Sequence, residues 1–587
     1  MFLYMRHVIT LGYTFLFLTP IVVAQIHFEE VSSRVGVGVG YGFGYLGGGI
    51  SFCDFNQDGW DDLTISSEDG RHTKFYKNQQ GRFMLEPLNI PDTYQTKQVQ
   101  WVDYDNDGDK DFFATSDSGL NILYENDGSF YFTDVTTIAG LHNEALNAFG
   151  SCWGDYNNDG WLDVFICYRN LGETQPNTLY KNNGDGTFTD VTAVAGLHLG
   201  VDPSFCAAFF DYNKDGYQDI YIANDRFTVR NVLYKNNGDG TFSDESEASG
   251  ADLLMAAMSV TVADYNKDGW LDIYITNVYN PDNPDVFQTN ALLQNNGDGT
   301  FSEVALETGT SFNSIAWGAV FLDADNDTDL DLYVSGMLTE PESIPSAFYE
   351  NHLNTFSIPS GAGFDNDTAV SFSNAIGDFN NDGLTDIAVL NEDNANIFLW
   401  ENQSTTGANW LKVNLEGTTS NRDGIGAWIE IGIGNDKQYR YTLCGEGYLG
   451  QNAGTSIFGL GTAKMVDYVK IDWLGGGTDI HYNIAANQSM QFVEGAALAT
   501  HTLDPGLVND VVVFPNPSQD FLHITSTAID KSYKLSLVGI GGEIVLEKHL
   551  TGSIAPIDIS HLANGMYILK IGFEDELISK KIMILRD

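Results

Sequence analysis

One pattern returns seven times along this chain, and its period limits the fold more than any other feature of the sequence. It reads Asp-x-Asn/Asp-x-Asp-Gly-x-x-Asp, followed by apolar residues. The copies are DFNQDGWDDLTI from Asp54, DYDNDGDKDFFA from Asp103, DYNNDGWLDVFI from Asp155 and DYNKDGYQDIYI from Asp211. DYNKDGWLDIYI from Asp264, DADNDTDLDLYV from Asp323 and DFNNDGLTDIAV from Asp378 follow. Successive starts lie 49, 52, 56, 53, 59 and 55 residues apart. Spacing this regular marks one supersecondary unit used repeatedly, stacked so that neighbours complete each other's core.

Each unit has a second half. After the acidic loop comes a segment such as LYKNNGDGTFTDVTAVAGL, from Leu179 to Leu197, in which two β-rich runs flank Asn-Gly-Asp-Gly. Asn, Asp and Gly tolerate positive φ, so this predicts a hairpin. The unit therefore reads strand, acidic loop, strand, hairpin: four strands, the content of a propeller blade. The seventh unit stops at IFLWENQSTTGANW without its FTDVTxxAGL tail, and a matching piece, FEEVSSRVGVGVG, stands at Phe28 ahead of the first loop. An N-terminal strand completing the last blade closes the ring and removes its exposed edges. The expected fold is all-β, a seven-bladed β-propeller followed by two small β-sandwich-like domains.

Oxygen-bearing side chains at positions 1, 3, 5 and 9, with a carbonyl at position 7 and Gly at position 6 for the sharp turn, suit a hard cation. The predicted ligands are Asp54, Asn56, Asp58, Trp60 and Asp62 in the first loop, and Asp103, Asp105, Asp107, Asp109 and Asp111 in the second. Next come Asp155, Asn157, Asp159, Trp161 and Asp163, then Asp211, Asn213, Asp215, Tyr217 and Asp219. The fifth loop offers Asp264, Asn266, Asp268, Trp270 and Asp272, and the sixth Asp323, Asp325, Asp327, Asp329 and Asp331. Asp378, Asn380, Asp382, Leu384 and Asp386 complete the set. The residue at position 7 contributes its carbonyl. Positions 1, 3, 5 and 9 hold 23 aspartates in all, a crowding of carboxylates that calls for a cation. Ca2+ fits better than Mg2+, which retains water, or zinc, which takes Cys and His. Up to seven Ca2+ ions, one per blade, are expected in a structural role. Thr328 stands where the sixth loop should have Gly, so that turn is expected to be strained or different, and this copy to lose its metal. The NNGDGTF turns need no second metal, because a hairpin already accounts for their Asn and Gly.

The net charge of −52, from 80 acidic and 28 basic residues, argues against nucleic acid and anionic lipid as partners. With 13% aromatic residues and 61 glycines the chain is a folded, turn-rich β protein rather than a disordered acidic one. Cys53, Cys152, Cys167, Cys206 and Cys444 are too few, and odd in number, for a disulfide framework. Cys53, Cys152 and Cys206 share one strand parity ahead of a repeated Asp and are expected to be buried. Residues 1–24, with Arg6 before an apolar stretch and small residues near Ala24, predict an export signal. No span is expected to cross a membrane in the mature chain.

These units resemble the FG-GAP repeats of VCBS type found in calcium-loop propellers such as those of integrin α-subunits. The likeness covers about residues 28–405, within an expected propeller at 25–405. It implies structural calcium and a partner bound on an exposed face. The next segment, expected at 406–495, is similar to the ASPIC/UnbV domain through SNRDGIGA (Ser420–Ala427), FGLG (Phe458–Gly461) and VKIDWLGG (Val469–Gly476). A linker is expected at 496–507. Residues 508–587 resemble the type A sorting domain of the type IX secretion system, through Pro515-Asn516-Pro517, Gly541-Gly542 and LANGMYILKI from Leu562. That likeness implies a bacterial, Bacteroidetes-type export route, contact with the secretion machinery, and a protein secreted or attached at the cell surface.

The expected function is non-enzymatic binding or adhesion, with a protein or glycan as the ligand on a propeller face. No catalytic residues and no organic cofactor are assigned. The rival reading is a polysaccharide lyase on a calcium propeller. Arg226, Arg230 and His352 are its candidate residues, but no motif unites them. His142 and His198 follow AGL at the same repeat position, which favours a structural role.

Overall fold

The computed structural model describes residues 26–91, 93–142, 144–169, 175–337, 347–364, 367–392, 395–496, 512–514, 521–525, 532–539, 544–551, 557–573 and 576–584. The expected export signal, most of the linker, Pro515-Asn516-Pro517 and Gly541-Gly542 lie outside these residues. The chain divides into two compact units, Met1–Ala497 and Leu498–Asp587.

In the first unit one antiparallel plan recurs. The strands Ala148–Gly154, Asp163–Tyr168, Thr178–Asn182 and Phe188–Asp190 pair in chain order. Sister sheets begin at Ile50, Thr96, Ser204, Ala257 and Ile315. A further sheet contains Ser371–Gly377, Asp386–Asn391 and Phe398–Asn402, and its fourth strand is Phe28–Glu30, with Phe28 opposite Asn402. The first strand of each sheet touches that of the next, and Ser371–Gly377 touches Ile50–Cys53 in turn. The architecture is all-β, with repeated four-stranded sheets of propeller kind.

The first two strands of a sheet are buried nearly throughout because both of their faces pack against neighbouring sheets, so they read as continuous apolar runs. Cys152 and Phe165 meet Ala207 and Phe209 of the following sheet, while Cys53 and Phe55 meet Val99 and Trp101. All five cysteines are free thiols and buried. Each acidic loop joins a first strand to a second, so all the loops open at the same end of the sheets.

The region after Trp410 has its own core, formed by Leu411, Ile429, Ile431, Phe458, Val469 and Phe492 among others. One sheet combines Asn409–Glu416, Ser456–Gly461 and Gln488–Val493, and another Trp428–Ile433, Asp436–Tyr441, Met465–Asp472 and Thr478–Ala485. From this second domain, residues 444–453 run down the axis between the first strands. Trp153 N donates to Cys444 O at 2.9 Å, Gly447 N to Val260 O at 2.7 Å and Ala453 N to Ile376 O at 2.9 Å. Gln98 Nε2 donates to Gly450 O, and Gly450–Gln451 pairs in parallel with Ile50–Ser51. Tyr448 packs edge-on to Phe205 and tilted to Trp317. Every repeated sheet thus meets this one segment through its first strand.

The second unit places Val512–Phe514, Phe521–Thr525 and Ile557–Asp558 in one sheet. A second antiparallel sheet holds Ser532–Gly539, Ile544–Thr551, Gly565–Phe573 and Glu576–Ile584. Leu522, Leu535, Leu537, Leu569 and Ile582 form its core.

Candidate metal loops and their junction with the second domain

In the Asp155 loop the backbone folds around the first carboxylate. Asp155 Oδ1 accepts from Asp159 N at 3.0 Å and Oδ2 from Gly160 N at 2.8 Å. Asp159 Oδ1 accepts from Trp161 N. Asp163, at position 9, accepts from Asn182 N at 2.7 Å and Tyr156 N at 3.2 Å, which ties the loop to the hairpin. The other copies repeat this scheme, as in Asp264 with Gly269 N and Asp378 with Gly383 N. Gly at position 6 is required here, since its φ is +85° to +102° in six loops. In the sixth, Thr328 takes the same conformation at φ +92°, so the expected turn survives with strain rather than changing shape.

Several predicted ligand oxygens are buried without a hydrogen-bond partner: Asn56 Oδ1, Asp103 Oδ1, Asn157 Oδ1 and Asp272 Oδ2. Such orphans suit a cation that accepts oxygen donors. Carboxylate oxygens of Asp103, Asp105 and Asp111 lie within 4.8 Å of one another, as do those of Asp323, Asp325 and Asp327. Among the described residues no other loop gathers three carboxylates so closely, because position 3 is Asn elsewhere. Asp107 and Asp331 stand outside these triplets.

Three loops carry a lysine clip on position 5: Lys77 on Asp58 at 3.2 Å, Lys181 on Asp159 at 3.3 Å and Lys235 on Asp215 at 3.9 Å. The corresponding hairpin residues are Glu125, Glu350 and Glu401 beside the second, sixth and seventh loops. The second and sixth loops, with five aspartates each and an adjacent Glu, are therefore the most acidic. Burial pushes the carboxyl groups of Asp103 and Asp323 up to about 8, and that of Asp111 to about 9, with neighbouring carboxylates adding to the effect. Asp155 and Asp264 rise to about 7 by burial. A divalent cation in such a loop would supply the charge that keeps these groups ionised at neutral pH.

Sequence reasoning passed over position 4. Its residue also has positive φ, from +57° to +60°, and aims its side chain at the next loop. Gln57 Nε2 donates to Gly108 O, Asn106 Nδ2 to Gly160 O and Asn158 Nδ2 to Gly216 O, at 2.6 to 2.9 Å. Lys267 Nζ reaches Thr328 Oγ1, Asn326 Nδ2 reaches Gly383 O, and Asn381 Nδ2 donates back to Gly59 O at 2.9 Å. Lys214 lies over the ring of Trp270, in the following loop, and over Trp428 and Tyr439 of the second domain. A belt of side chains joins loop to loop. The hairpin Asn is a second fastener: Asn182 Nδ2 donates to Tyr104 O, Asn236 Nδ2 to Tyr156 O and Asn295 Nδ2 to Tyr212 O, all in the preceding unit.

The second domain rests on the loops. Asp103 N donates to Asp423 Oδ2 at 3.0 Å, and Lys110 forms an ion pair with the same carboxylate. Asn158 lies against Gly475, Gly269 against Tyr439, and Gly461 N donates to Asn326 O at 2.8 Å. Lys412 Nζ lies 2.6 Å from Asp378 Oδ2. Asp423 and Arg422 belong to the SNRDGIGA motif, so that motif is a docking element.

The candidate enzyme residues do not converge. Arg226 and Arg230 lie between second and third strands and pair with Asp225 and Asp252. His352 ends a third strand at the acidic-loop end, near Asp327. His142 N and His198 N donate to Tyr180 and Tyr234 hydroxyls in equivalent places, a repeated structural role. In the NNGDGTF turns Asp185 caps Thr187, as a hairpin turn requires.

Residues 54–275 match the FG-GAP-like repeat family in overlapping copies at 54–114, 103–166, 155–222 and 211–275. Residues 417–499 match the ASPIC and UnbV family, and 512–585 the secretion system C-terminal sorting domain. Cartilage acidic protein 1 of Xenopus tropicalis is 25% identical over 257 residues, covering 39% of this chain and 39% of that protein. The Homo sapiens and Mus musculus proteins of that name are 24% identical over 314 residues, 49% of this chain and 47% and 48% of theirs. The match thus spans less than half the length of each curated relative. No helix among the described residues is long and apolar enough to cross a membrane. The sorting domain directs the chain through type IX secretion to the cell surface or beyond.

Proposed function

We propose that this chain, an exported FG-GAP-repeat protein with an ASPIC and UnbV domain and a type IX sorting tail, is a calcium-stiffened seven-bladed propeller that binds a ligand outside the cell. On this reading each repeated sheet is a blade, residues 25–405 form the ring, and two sandwich-like domains follow. The supporting observation is the set of loops in which buried oxygens without partners stand at ligand positions around ionisable carboxylates. Ca2+ would be held by the side chains at positions 1, 3, 5 and 9 with the carbonyl at position 7, most firmly in the Asp103 and Asp323 loops. It would supply charge compensation and pin each first strand to its second. The sixth loop, earlier expected to lose metal, is among the best sites on this electrostatic ground.

No chemical step is assigned, because the repeated polar groups are absorbed by loops, belts and docking contacts. Calorimetric titration of the chelator-stripped, full-length chain with Ca2+ tests the metal reading; no heat of binding and no gain in melting temperature would refute it. Incubation with a panel of polysaccharides tests the non-enzymatic reading, which chain cleavage abolished by one point substitution would overturn.

A further inference from the structure

We propose that the cavity between the Asp54 loop and the second domain is the ligand site of this chain, and that it takes a neutral oligosaccharide. The proposal rests on the binding reading above and names its ligand class.

A specific site has to break the sevenfold repetition. The second domain docks directly on the other six loops, but it faces the Asp54 loop across a cavity of about 490 Å3. That volume lies within the small-ligand range of roughly 300 to 1,000 Å3. The cavity is lined by residues that do not repeat. Position 8 is Asp61 in the first loop and Lys110 in the second, against Leu162, Gln218, Leu271, Leu330 and Thr385 elsewhere. Both line the cavity, as do Lys412, Arg422 and Asp423 from the second domain.

The charges on the walls are already matched within the chain. Asp61 Oδ2 accepts from Asp378 N at 2.9 Å, Lys110 pairs with Asp423, and Arg422 Nη2 meets Glu416 Oε1 at 2.9 Å. Lys412 is held by Asp378 and by Asn381 Oδ1. What these pairs present to a ligand is a rigid polar frame, studded with the amides and hydroxyls of Gln57, Asn414, Thr455, Ser489 and Gln491. Asn414 Nδ2 donates to Ser489 Oγ at 3.0 Å and Gln491 Nε2 to Glu416 Oε2 at 2.7 Å, so the groups are positioned before any ligand arrives. Each amide carries two donor hydrogens and an acceptor oxygen, more capacity than these bonds use. Ser489 and Gln491 are exposed, which opens the chamber to solvent at their edge.

Chemistry narrows the ligand. A polyanion would find the lining cations Lys110, Lys412 and Arg422 already paired with Asp423, Asp378 and Glu416, in a chain of net charge −52. An apolar ligand finds little to bury against: Trp101 lies in the wall but is 1% exposed, and its indole N–H donates to Thr64. Alternating donors and acceptors around an uncharged guest fit the hydroxyl groups of a sugar, whose every O–H can both give and accept.

The test uses the full-length chain with Ca2+ and calorimetric titration of cellohexaose, maltohexaose, mannohexaose and xylohexaose. At least one should bind, and Ser489→Trp, which fills the chamber mouth, should weaken it by about tenfold or more. Gln57→Ala should weaken it less, and the melting temperature of Ser489→Trp should be unchanged. Ser302→Trp, on an outer strand elsewhere, should leave binding intact. Failure of all four sugars to bind overturns the proposal, as does binding indifferent to Ser489→Trp and Gln57→Ala. The second outcome, or capture of peptides alone, leaves the binding reading standing while removing this site or this ligand class.

Discussion

Lys412 Nζ lies 2.6 Å from Asp378 Oδ2, and the two side chains are only 5% and 1% exposed. Their pairing joins the second domain to a candidate metal loop, because the other oxygen of Asp378 accepts from Asp382 N. Removing one partner of a buried pair leaves an uncompensated charge, so Lys412→Ala should lower stability by about 3 kcal/mol. Lys412→Met combined with Asp378→Asn should recover part of that loss. Urea midpoints of the three proteins, measured with chelator present so that no Ca2+ compensates Asp378, check it.

Thr328 occupies a left-handed conformation that costs a β-branched residue about 1–2 kcal/mol. Thr328→Gly should therefore raise stability by about 1 kcal/mol. The lost contact with Lys267 is offset because that ammonium retains Asp329 as a partner. A melting temperature equal to or below that of the parent would contradict the strain assigned to this turn.

Chelation should lower the melting temperature of the first compact unit and leave the sorting domain unmoved. Asp105→Asn and Asp325→Asn, which thin out the two carboxylate triplets, should each shrink the calcium-dependent part of that shift more than Asn157→Ala does. Differential scanning calorimetry, with and without chelator, separates the units.

Glu446 enters the axis with residues 444–453, where burial raises its carboxyl to about 7 although Asn452 donates to it. Because the folded pKa exceeds the unfolded one, the folded chain takes up a proton between about pH 4.5 and 7, and this contribution to stability is present at low pH and lost as pH rises through that window. Glu446→Gln should match the parent near pH 5 and exceed it at pH 8, by up to about 3 kcal/mol. A difference that does not grow with pH would refute the assignment.

The repeated sheets and their completing strand were legible because each rests on a local signal, a hairpin or an acidic turn, copied at a fixed period. Phe28 could be matched to the tail missing after Asn402 by counting alone. The belt was not legible. Position 4 alternates between amides such as Gln57 and Asn106 and the lysines Lys214 and Lys267, and their partners lie in the next loop, so position 4 read as a spacer. Residues 444–453 were equally opaque, since CGEGYLGQNA looks like an ordinary Gly-rich turn until the first strands of the repeated sheets surround it. The loop ligands were predicted from spacing, yet which loops are most acidic depended on Lys or Glu in the hairpins, a tertiary juxtaposition.

The strand Phe28–Glu30 pairs with Phe398–Asn402, about 370 residues further along the chain. Closing so long a loop adds little thermodynamic cost, about 0.6 kcal/mol per doubling of length, but non-local pairing is slow to find. Completion therefore has a clock. Until that pairing forms, the Phe398–Asn402 strand presents a raw edge. A variant in which Phe28–Glu30 is relocated to follow Asn402 should refold faster than the parent at similar stability, which stopped-flow refolding would reveal. The chain order makes this sheet slow to complete, and the pairing of Phe28 with Asn402 covers its edge once it forms.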